Sequence, residues 1–348
     1  MGGPAKRLCG WQEPVSEDEP RQDRVFAEQI NRYQRGFARR GDGQPHRGFH
    51  VKSHAAVDAA FRVLDDIPAA ARHGVFKMPR TFRAWVRLTN GFSAARADWF
   101  PDLLGCSVKL LGVDGNKLLA GEELAGTQDF IALNQPYLPA WTPAELMIMV
   151  TSAANIATAP FWLIGGLGLK QALRVMLWTL AWTPRRLLLR SAATEDFFSV
   201  VPITIGPHAV KFKWQSQQHT ATAGTPGASW SNYLRDDLRH RLAQGDLRFD
   251  FLVQFFRDPA TTPINGAYEW KAEDAPFIKL AELTIAHRDL DSPEARQLER
   301  RINGVSFNPW HAIAEHRPIG NIQRARRVIY QASAEYWGRD PDPPHRPR

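Results

Sequence analysis

Cysteine is scarce in this chain: Cys9 and Cys106 are the only two among 348 residues. They are far apart in sequence and neither belongs to a CxxC pair, which excludes a zinc site of the usual spacing and a disulfide-stabilised scaffold. Lys and Arg outnumber Asp and Glu by 44 to 36, but no helix-turn-helix, zinc-finger or RNA-recognition pattern is present, so we do not expect nucleic acid as a partner. The opening residues, MGGPAKRLCG, lack the apolar segment of a secretory signal, and we therefore expect a cytoplasmic protein.

Polar segments are expected to flank one large domain. Residues 1–46 are polar and predict a mobile arm with one helix at about 23–39. The last segment, 340–348, reads DPDPPHRPR, and this proline-rich composition predicts a disordered tail. Residues 47–339 remain for the domain, and a hydrophobic content of 44% is sufficient for a large core.

Alternating patterns in the middle of the chain predict strands. In FRAWVRLTN (82–90) every second residue up to Leu88 is apolar, while Arg87 and Thr89 share the opposite face. CSVKLLGV (106–113), the turn Asp114-Gly115 and the apolar run that follows predict a hairpin. HAVKFKW, LRFDFLVQFF and FIKLAELTI add further strands.

Many strands joined by turns are typical of a barrel. We therefore predict an α+β protein built on an antiparallel β-barrel with peripheral helices. The helices are expected at about 141–192, at about 227–244 and near 320–337.

The segment at about 141–192 is an apolar insertion. Residues 146–169 contain no charged side chain, which is long enough for a transmembrane helix. Pro160 and the pair Gly165-Gly166 weaken a single span, so we predict two helices that meet near Pro160. The basic and apolar second half favours peripheral contact with the cytoplasmic face of an anionic membrane. The alternative is a helix pair that covers the barrel or forms a homo-oligomer interface.

Tyr330 is the only one of six tyrosines with an arginine four residues before it, in RARRVIY (324–330). On a helix, Arg326 and Tyr330 lie on one face within contact distance. A guanidinium beside a phenol favours the phenolate, and tyrosinate is a known ligand of haem iron. The same spacing is common in plain surface packing, so the pair alone does not assign a site.

Three further segments carry polar residues that suit peroxide chemistry. They are RGFHVK with Arg47 and His50, VRLTNG with Arg87 and Thr89, and DFIALNQP with Asn134. Each also has an ordinary structural reading, because a lone histidine is usually packed and a strand arginine is usually solvated.

Taken in their order along the chain, these segments resemble the catalase-like superfamily. RGFHVK is similar to the distal histidine segment of catalases, VRLTNG and LLGCSVKLLGVDGN to the following strands, and NQP to an Asn-x-Pro motif. FFSVVPITIGPHAVKFKW is similar to the next strand pair, and RARRVIY to the proximal helix. The resemblance covers roughly 47–337. The short chain looks most like the small catalase-related haem peroxidases and is also similar to allene oxide synthases.

The resemblance implies a haem site. Tyr330 would ligate the iron with Arg326 as its partner, and Arg47 and Arg87 would bind the haem propionates. The cofactor would be haem b, held without a covalent bond because the sequence has no CxxCH motif. NADPH binding and the catalase tetramer are not implied.

The resemblance also implies the catalytic groups. His50 would be the distal acid–base residue, Thr89 would orient it and Asn134 would hydrogen-bond the peroxide. Phe49 stands where catalases carry a smaller residue, which argues against efficient dismutation of hydrogen peroxide. We therefore expect a hydroperoxidase that reduces hydrogen peroxide or lipid hydroperoxides through a ferryl intermediate with an unidentified electron donor. The alternatives are an allene oxide synthase-like dehydratase of fatty-acid hydroperoxides and a haem- or lipid-binding protein without turnover.

Overall fold

The computed structural model describes residues 10–41, 43–153, 155, 157–219 and 229–344, so Cys9 and 345–348 lie outside the described part. Nine strands lie within these ranges: β1 Ser53–Val63, β2 Thr81–Asn90, β3 Leu104–Leu111, β4 Thr127–Leu133, β5 Phe197–Phe198, β6 Ile203–Ile205, β7 His208–Ser216, β8 Leu247–Phe255 and β9 Ile278–Ile285. The same ranges contain seven α-helices: α1 Glu19–Arg40, α2 Pro143–Ser152, α3 Ala159–Leu167, α4 Leu169–Leu188, α5 Tyr233–Leu242, α6 Pro293–Gly304 and α7 Asn321–Trp337.

Eight of the strands form a closed antiparallel barrel, which confirms the predicted α+β fold. Their order is β5-β4-β3-β2-β1-β9-β8-β7, and pairing between β5 and β7 closes the barrel. In β2 the alternating apolar residues from Phe82 to Leu88 belong to the interior core. Because side chains alternate across a strand, Arg87 and Thr89 lie on the outer face.

Aromatic rings fill the barrel. Phe61, Phe130, Trp214 and Phe251 are buried, and their ring centroids lie 4.8–6.3 Å apart in a connected set of edge and tilted contacts. Truncating one such ring to Ala costs about 3–5 kcal/mol of unfolding free energy. The many Phe and Trp residues of the sequence are therefore largely explained by core packing.

The β3–β4 hairpin has a longer connection than the sequence predicts. The two strands pair from Gly105 and Leu133 to Leu111 and Thr127, so Asp114-Gly115 lies within a 112–126 loop. The apolar residues that directly follow the turn do not pair with β3 as a second hairpin strand. Leu118 N–H donates instead to the carbonyl of Ala312.

Helix α1 confirms the helix expected in the N-terminal segment, but it is packed on the domain and not part of a mobile arm. Phe26, Ile30, Gln34 and Ala38 recur every four residues and are buried. This stripe packs against α7, with Phe26 and Ile30 in one cluster with Ala325 and Ile329. Helix α6 was not predicted, because most of its residues are charged or polar and its packed face is limited to Ile302, which is buried, and Leu298, which packs in the same cluster.

The apolar insertion contains three helices where two were predicted. Pro160 lies in the first turn of α3, where its missing N–H leaves no bond unmade, and the break to α4 occurs at Gly168 with φ 75°. Thr142 caps α2 by accepting a hydrogen bond from Glu145 N–H at 3.2 Å. Among the described residues, no helix has both the length and the hydropathy to cross a membrane.

The C-terminal segment is packed where the sequence predicts disorder, at least as far as Pro344. Asp342 is an ion-pair partner of Lys109 at 2.7 Å, and both side chains are buried. Asp340 and Pro344 form bridges with Val305 and Ala125. A buried lysine is stable only when it is paired with carboxylates. The ion pair of Lys109 with Asp342 therefore holds the C-terminal segment against the domain despite its prolines.

Candidate active site

A pocket lies on the outer face of the barrel, with about 610 Å³ of empty space that includes open solvent at its mouth. Its floor follows from strand register: Arg87 of β2 pairs with Ser107 of β3, which pairs with Ile131 of β4. The other walls come from 47–50, the loop before α7, and helices α1 and α7. The apolar lining residues are Ile30, Phe49, Ile131, Phe307, Ile329, Ala334 and Trp337.

Tyr330 enters the pocket from α7 with Arg326 beside it, as their helical spacing predicts. An N–H of the Arg326 guanidinium donates to the phenolic oxygen at 2.9 Å, and its carbon lies 5.0 Å from the ring centroid. Arg326 also donates to the Gln323 side chain at 3.1 Å, which holds the guanidinium from a second direction. The phenolic oxygen is therefore fixed next to a positive charge in the pocket wall.

His50 lines the same pocket and has a strained backbone conformation. Its φ is 58°, in the left-handed region that non-glycine residues rarely adopt. The backbone N–H donates to Gly91 O at 3.1 Å, and ring atom Nδ1 lies 2.9 Å from Thr89 Oγ1. A Cβ at Gly105 would come within 2.8 Å of the imidazole, so the ring occupies space that only glycine leaves free.

Burial and the charge of Arg87 lower the pKa of His50 from 6.5 to about 4. The imidazole is therefore neutral near pH 7. With Nδ1 bonded to Thr89, Nε2 is the ring nitrogen available as a proton acceptor.

Arg87 is buried and Arg47 is half-buried, and within the described part of the chain neither forms a salt bridge, although the charge of Glu299 acts on Arg87. Arg87 donates to Asn303 Oδ1 at 2.7 Å and to the carbonyls of His50 and Val51. Arg47 donates to the carbonyls of Asn303 and Val305 and stacks on Trp337, with its guanidinium carbon 4.3 Å from the ring. Burial lowers the pKa of Arg47 to about 10, and that of Arg87 well below its usual range. Two guanidiniums in one pocket, one of them buried, favour an anionic ligand.

Three serines of the pocket were not found from the sequence: Ser107, Ser306 and Ser333, whose Oγ accepts from Gly48 N–H at 3.3 Å. Ser306 Oγ is buried, lines the pocket and makes no hydrogen bond in the structure. Ser107 lines the floor between Arg87 and Ile131. Pairing β2 with β3 in register would have found Ser107, whereas Ser306 lies in a loop and carries no sequence signal.

Asn134 does not lie where the sequence analysis expects it, because it is not among the residues that line this pocket. Its Oδ1 accepts from Leu104 N–H at 2.8 Å, and its Nδ2 donates to Glu195 at 3.0 Å. Asn134 directly follows β4, and its side chain links Leu104, the first residue of β3, to Glu195 in the segment before β5. The other six predicted site residues do cluster. Thr89 contacts His50 and Arg326 contacts Tyr330. Arg47 and Arg87 line the same pocket as His50 and Tyr330.

A buried charged cluster lies on the same outer faces of β3 and β4. Its paired residues Lys109 and Asp129 are two positions along each strand from the pocket residues Ser107 and Ile131. Glu122, His311 and Asp342 have the spacing of a metal-ligand set. Lys109 Nζ already lies 2.7 Å from both Asp129 and Asp342. The ammonium group occupies the cation position of this cluster, so it is a structural ion-pair network.

Comparisons with solved structures identify the fold. A crystal structure of a fungal catalase matches with a TM-score of 0.66 and 14% identity, over 97% of this chain and 65% of that protein. A bacterial catalase matches with a TM-score of 0.64 and 15% identity, over 95% of this chain and 63% of that protein. Catalase A from Saccharomyces cerevisiae matches with a TM-score of 0.64 and 13% identity, over 97% of this chain and 68% of that protein. The chain thus has the catalase fold and spans about two thirds of these proteins. No family model and no curated protein sequence matches it.

Proposed function

We propose that the protein is a haem-dependent hydroperoxidase. The observation that carries this proposal is that a phenol held by arginine, a neutral histidine and two guanidiniums line one pocket. A haem site needs each of these groups: an axial ligand, a distal base and partners for two propionates.

The residues present fit haem b. Tyr330 would ligate iron, Arg47 and Arg87 would bind the propionates, and the buried hydroxyl of Ser306, which lacks a partner, would gain one from a polar ligand group. The apolar walls suit the porphyrin faces. When bound, haem supplies the redox chemistry that splits the O–O bond of a hydroperoxide.

The chain's own contribution is proton transfer and positioning. His50 Nε2 would accept the proton from the oxygen of the hydroperoxide that binds first and return it to the departing oxygen. Thr89 holds the ring so that Nε2 faces the ligand. The overall reaction reduces the hydroperoxide to an alcohol and water with two electrons and two protons from an external donor.

We favour organic hydroperoxides over hydrogen peroxide as substrates. Phe49, next to His50, lines the pocket and stacks on Tyr33 with centroids 5.4 Å apart. No described residue that lines the pocket carries a side-chain amide. Ile131 is one of the apolar residues that line it together with His50. An apolar substrate tail would bury against such walls.

The test is an absorbance spectrum of the purified protein, followed by two assays with cumene hydroperoxide, a fatty-acid hydroperoxide and hydrogen peroxide. We expect a ferric haem spectrum, oxidation of a phenolic donor and an alcohol product. Oxygen release from hydrogen peroxide without donor oxidation would instead indicate a catalase. An epoxide product would support the dehydratase alternative, and absence of haem would refute the proposal.

A further inference from the structure

Helices α3 and α4 present an apolar surface to solvent. Leu169, Leu173, Leu177, Leu180 and Leu187 of α4 are each 48–69% exposed, and at 100° per residue they occupy an arc of roughly 80°. Phe161 and Trp162 of α3 are 77% and 68% exposed. We call these seven side chains the α3–α4 face. Soluble domains seldom expose so many large apolar side chains together, so the face indicates a binding partner.

The opposite side of the helix pair is attached to the domain. Leu163, Ala172 and Val175 form a small core, against which Ile148 and Met149 of α2 pack. Near its N-terminal end α4 is held by Gln171, which donates to Pro139 O at 3.2 Å.

Near its C-terminal end α4 is held by Arg186. This buried guanidinium donates to the carbonyls of Asp102 at 2.7 Å and Asp98 at 3.0 Å. Because both ends are fixed, α4 cannot rotate its leucines inward, and the α3–α4 face belongs to the folded state.

Charge identifies the partner. Between Glu145 and Glu195 the sequence contains five Lys or Arg residues and no Asp or Glu. Lys170 and Arg185 are exposed and lie beyond the same edge of the leucine arc, and Arg185 also lies 4.0 Å from the carboxylate of Glu195. An apolar arc with cations along its edge fits the interface of an anionic bilayer. Two copies of the α3–α4 face would bring like charges together, which disfavours self-association.

We propose that the α3–α4 face docks on the surface of an anionic lipid bilayer. Docking would be peripheral, with the helices lying in the headgroup region. Helix α2 connects this face to the pocket, since Met147 and Val150 pack in one cluster with Ile30 and Ile329, which line it. The docking does not depend on haem chemistry, so its test reads binding and not activity.

The test is co-sedimentation of the full chain with vesicles of phosphatidylcholine that contain phosphatidylglycerol, compared with vesicles of phosphatidylcholine alone. We expect binding to the anionic vesicles that weakens with added salt. Lys170→Gln with Arg185→Gln should weaken the partition about 25-fold, since each cation contributes about fivefold. The matched control Lys77→Gln with Arg83→Gln removes two exposed cations elsewhere and should change binding less than about twofold.

The apolar contribution is tested with Phe161→Ser, Trp162→Ser, Leu177→Ser and Leu180→Ser together. This variant should lose vesicle binding, whereas Leu124→Ser with Trp230→Ser, which changes two equally exposed apolar residues elsewhere, should keep it. Circular dichroism melting confirms that each variant folds. Equal binding by all folded variants, or no binding by the folded wild type at low salt, overturns the proposal. Sedimentation velocity measures the oligomeric state of the wild type and of each variant. A wild-type dimer that only the four-serine variant loses would also overturn the proposal, because the α3–α4 face would then be a dimer interface.

Discussion

Nδ1 of His50 lies 2.9 Å from the hydroxyl oxygen of Thr89, and this contact decides which ring nitrogen faces the pocket. A base that acts through Nε2 must carry its proton on Nδ1, and Thr89 Oγ1 is placed to accept that proton. The positive φ of His50 and the glycine at 105 complete the arrangement. An imidazole held by a hydroxyl, a strained backbone and a missing Cβ is positioned for chemistry with little freedom to move.

Replacing His50 with Ala should leave haem binding intact and slow reaction with peroxide by roughly a hundred- to ten-thousandfold, because the proton acceptor is lost. Thr89→Val removes only the hydroxyl and should cause a smaller loss in the same direction. Stopped-flow absorbance at matched haem content measures both rates. Unchanged rates in His50→Ala would assign the proton transfer to another group.

The pH dependence of the reaction should reflect the low pKa of His50. Burial and Arg87 bring this pKa to about 4, so the basic form persists from pH 7 down to about 5. We expect kcat/KM to stay level over that range and to fall as the pH approaches 4. Haem content is measured at each pH as the control. A break near pH 6.5 would contradict the buried, desolvated state of the ring.

Replacing Gly105 with Ala should displace the imidazole. The new methyl group would lie 2.8 Å from His50 Nδ1 and 2.9 Å from Thr89 Oγ1, closer than carbon atoms are tolerated. Activity should fall towards that of His50→Ala, while haem occupancy changes little. Gly245→Ala is the matched control because its added Cβ meets no atom within 4 Å. Equal activity in the two variants would show that His50 is not confined by β3.

Replacing Tyr330 with Phe should abolish or strongly weaken haem binding, since it removes the oxygen that would ligate iron. Tyr336→Phe is the control, because this tyrosine lies on the same helix. Haem occupancy is read from the ratio of Soret to protein absorbance after reconstitution. An unchanged spectrum in Tyr330→Phe would exclude this residue as the ligand.

Much of the fold and part of the site follow from local sequence patterns. Period-two alternation places Arg87 and Thr89 together on the outer face of β2, and helical spacing brings Arg326 to Tyr330. These relationships involve residues within four positions of one another. Their geometry is dictated by the element itself and needs no tertiary information.

The remaining features depend on contacts between distant segments. Ser306 reaches the pocket from a loop, and Asn134 bonds to Leu104 and Glu195 instead of facing the pocket. The C-terminal segment is ordered by a pairing of Asp342 with Lys109, more than 200 residues away. No periodicity or local composition encodes such pairings, so composition alone predicted disorder there.

The Lys109 cluster should make stability depend on pH in two opposite directions. Burial opposes the charge of Asp342, but Lys109 and His311 outweigh it and bring the pKa of this carboxyl down to about 2. A carboxyl with a lowered pKa stabilises the fold above its unfolded pKa of about 4, and this contribution is lost as the pH falls towards 2. His311 behaves oppositely: burial and Lys109 oppose its charge, but Asp342, Asp129 and Glu122 outweigh them and raise its pKa.

Replacing His311 with Gln should therefore flatten the stability profile on the alkaline side. Protonated His311 contributes its full stabilisation below about pH 6.5, and that contribution declines as the pH rises through its folded pKa. Between pH 5.5 and 7.5 the wild type should lose up to about 1 kcal/mol of unfolding free energy relative to His311→Gln. Lys117, whose pKa burial lowers to about 8, acts in the opposite sense above this window, so the comparison stops at pH 7.5. Urea unfolding at each pH measures the difference, and His219→Gln, which changes an exposed histidine, is the control. Parallel profiles for wild type and His311→Gln would mean that His311 is neutral in the folded protein and that Lys109 alone balances the carboxylates.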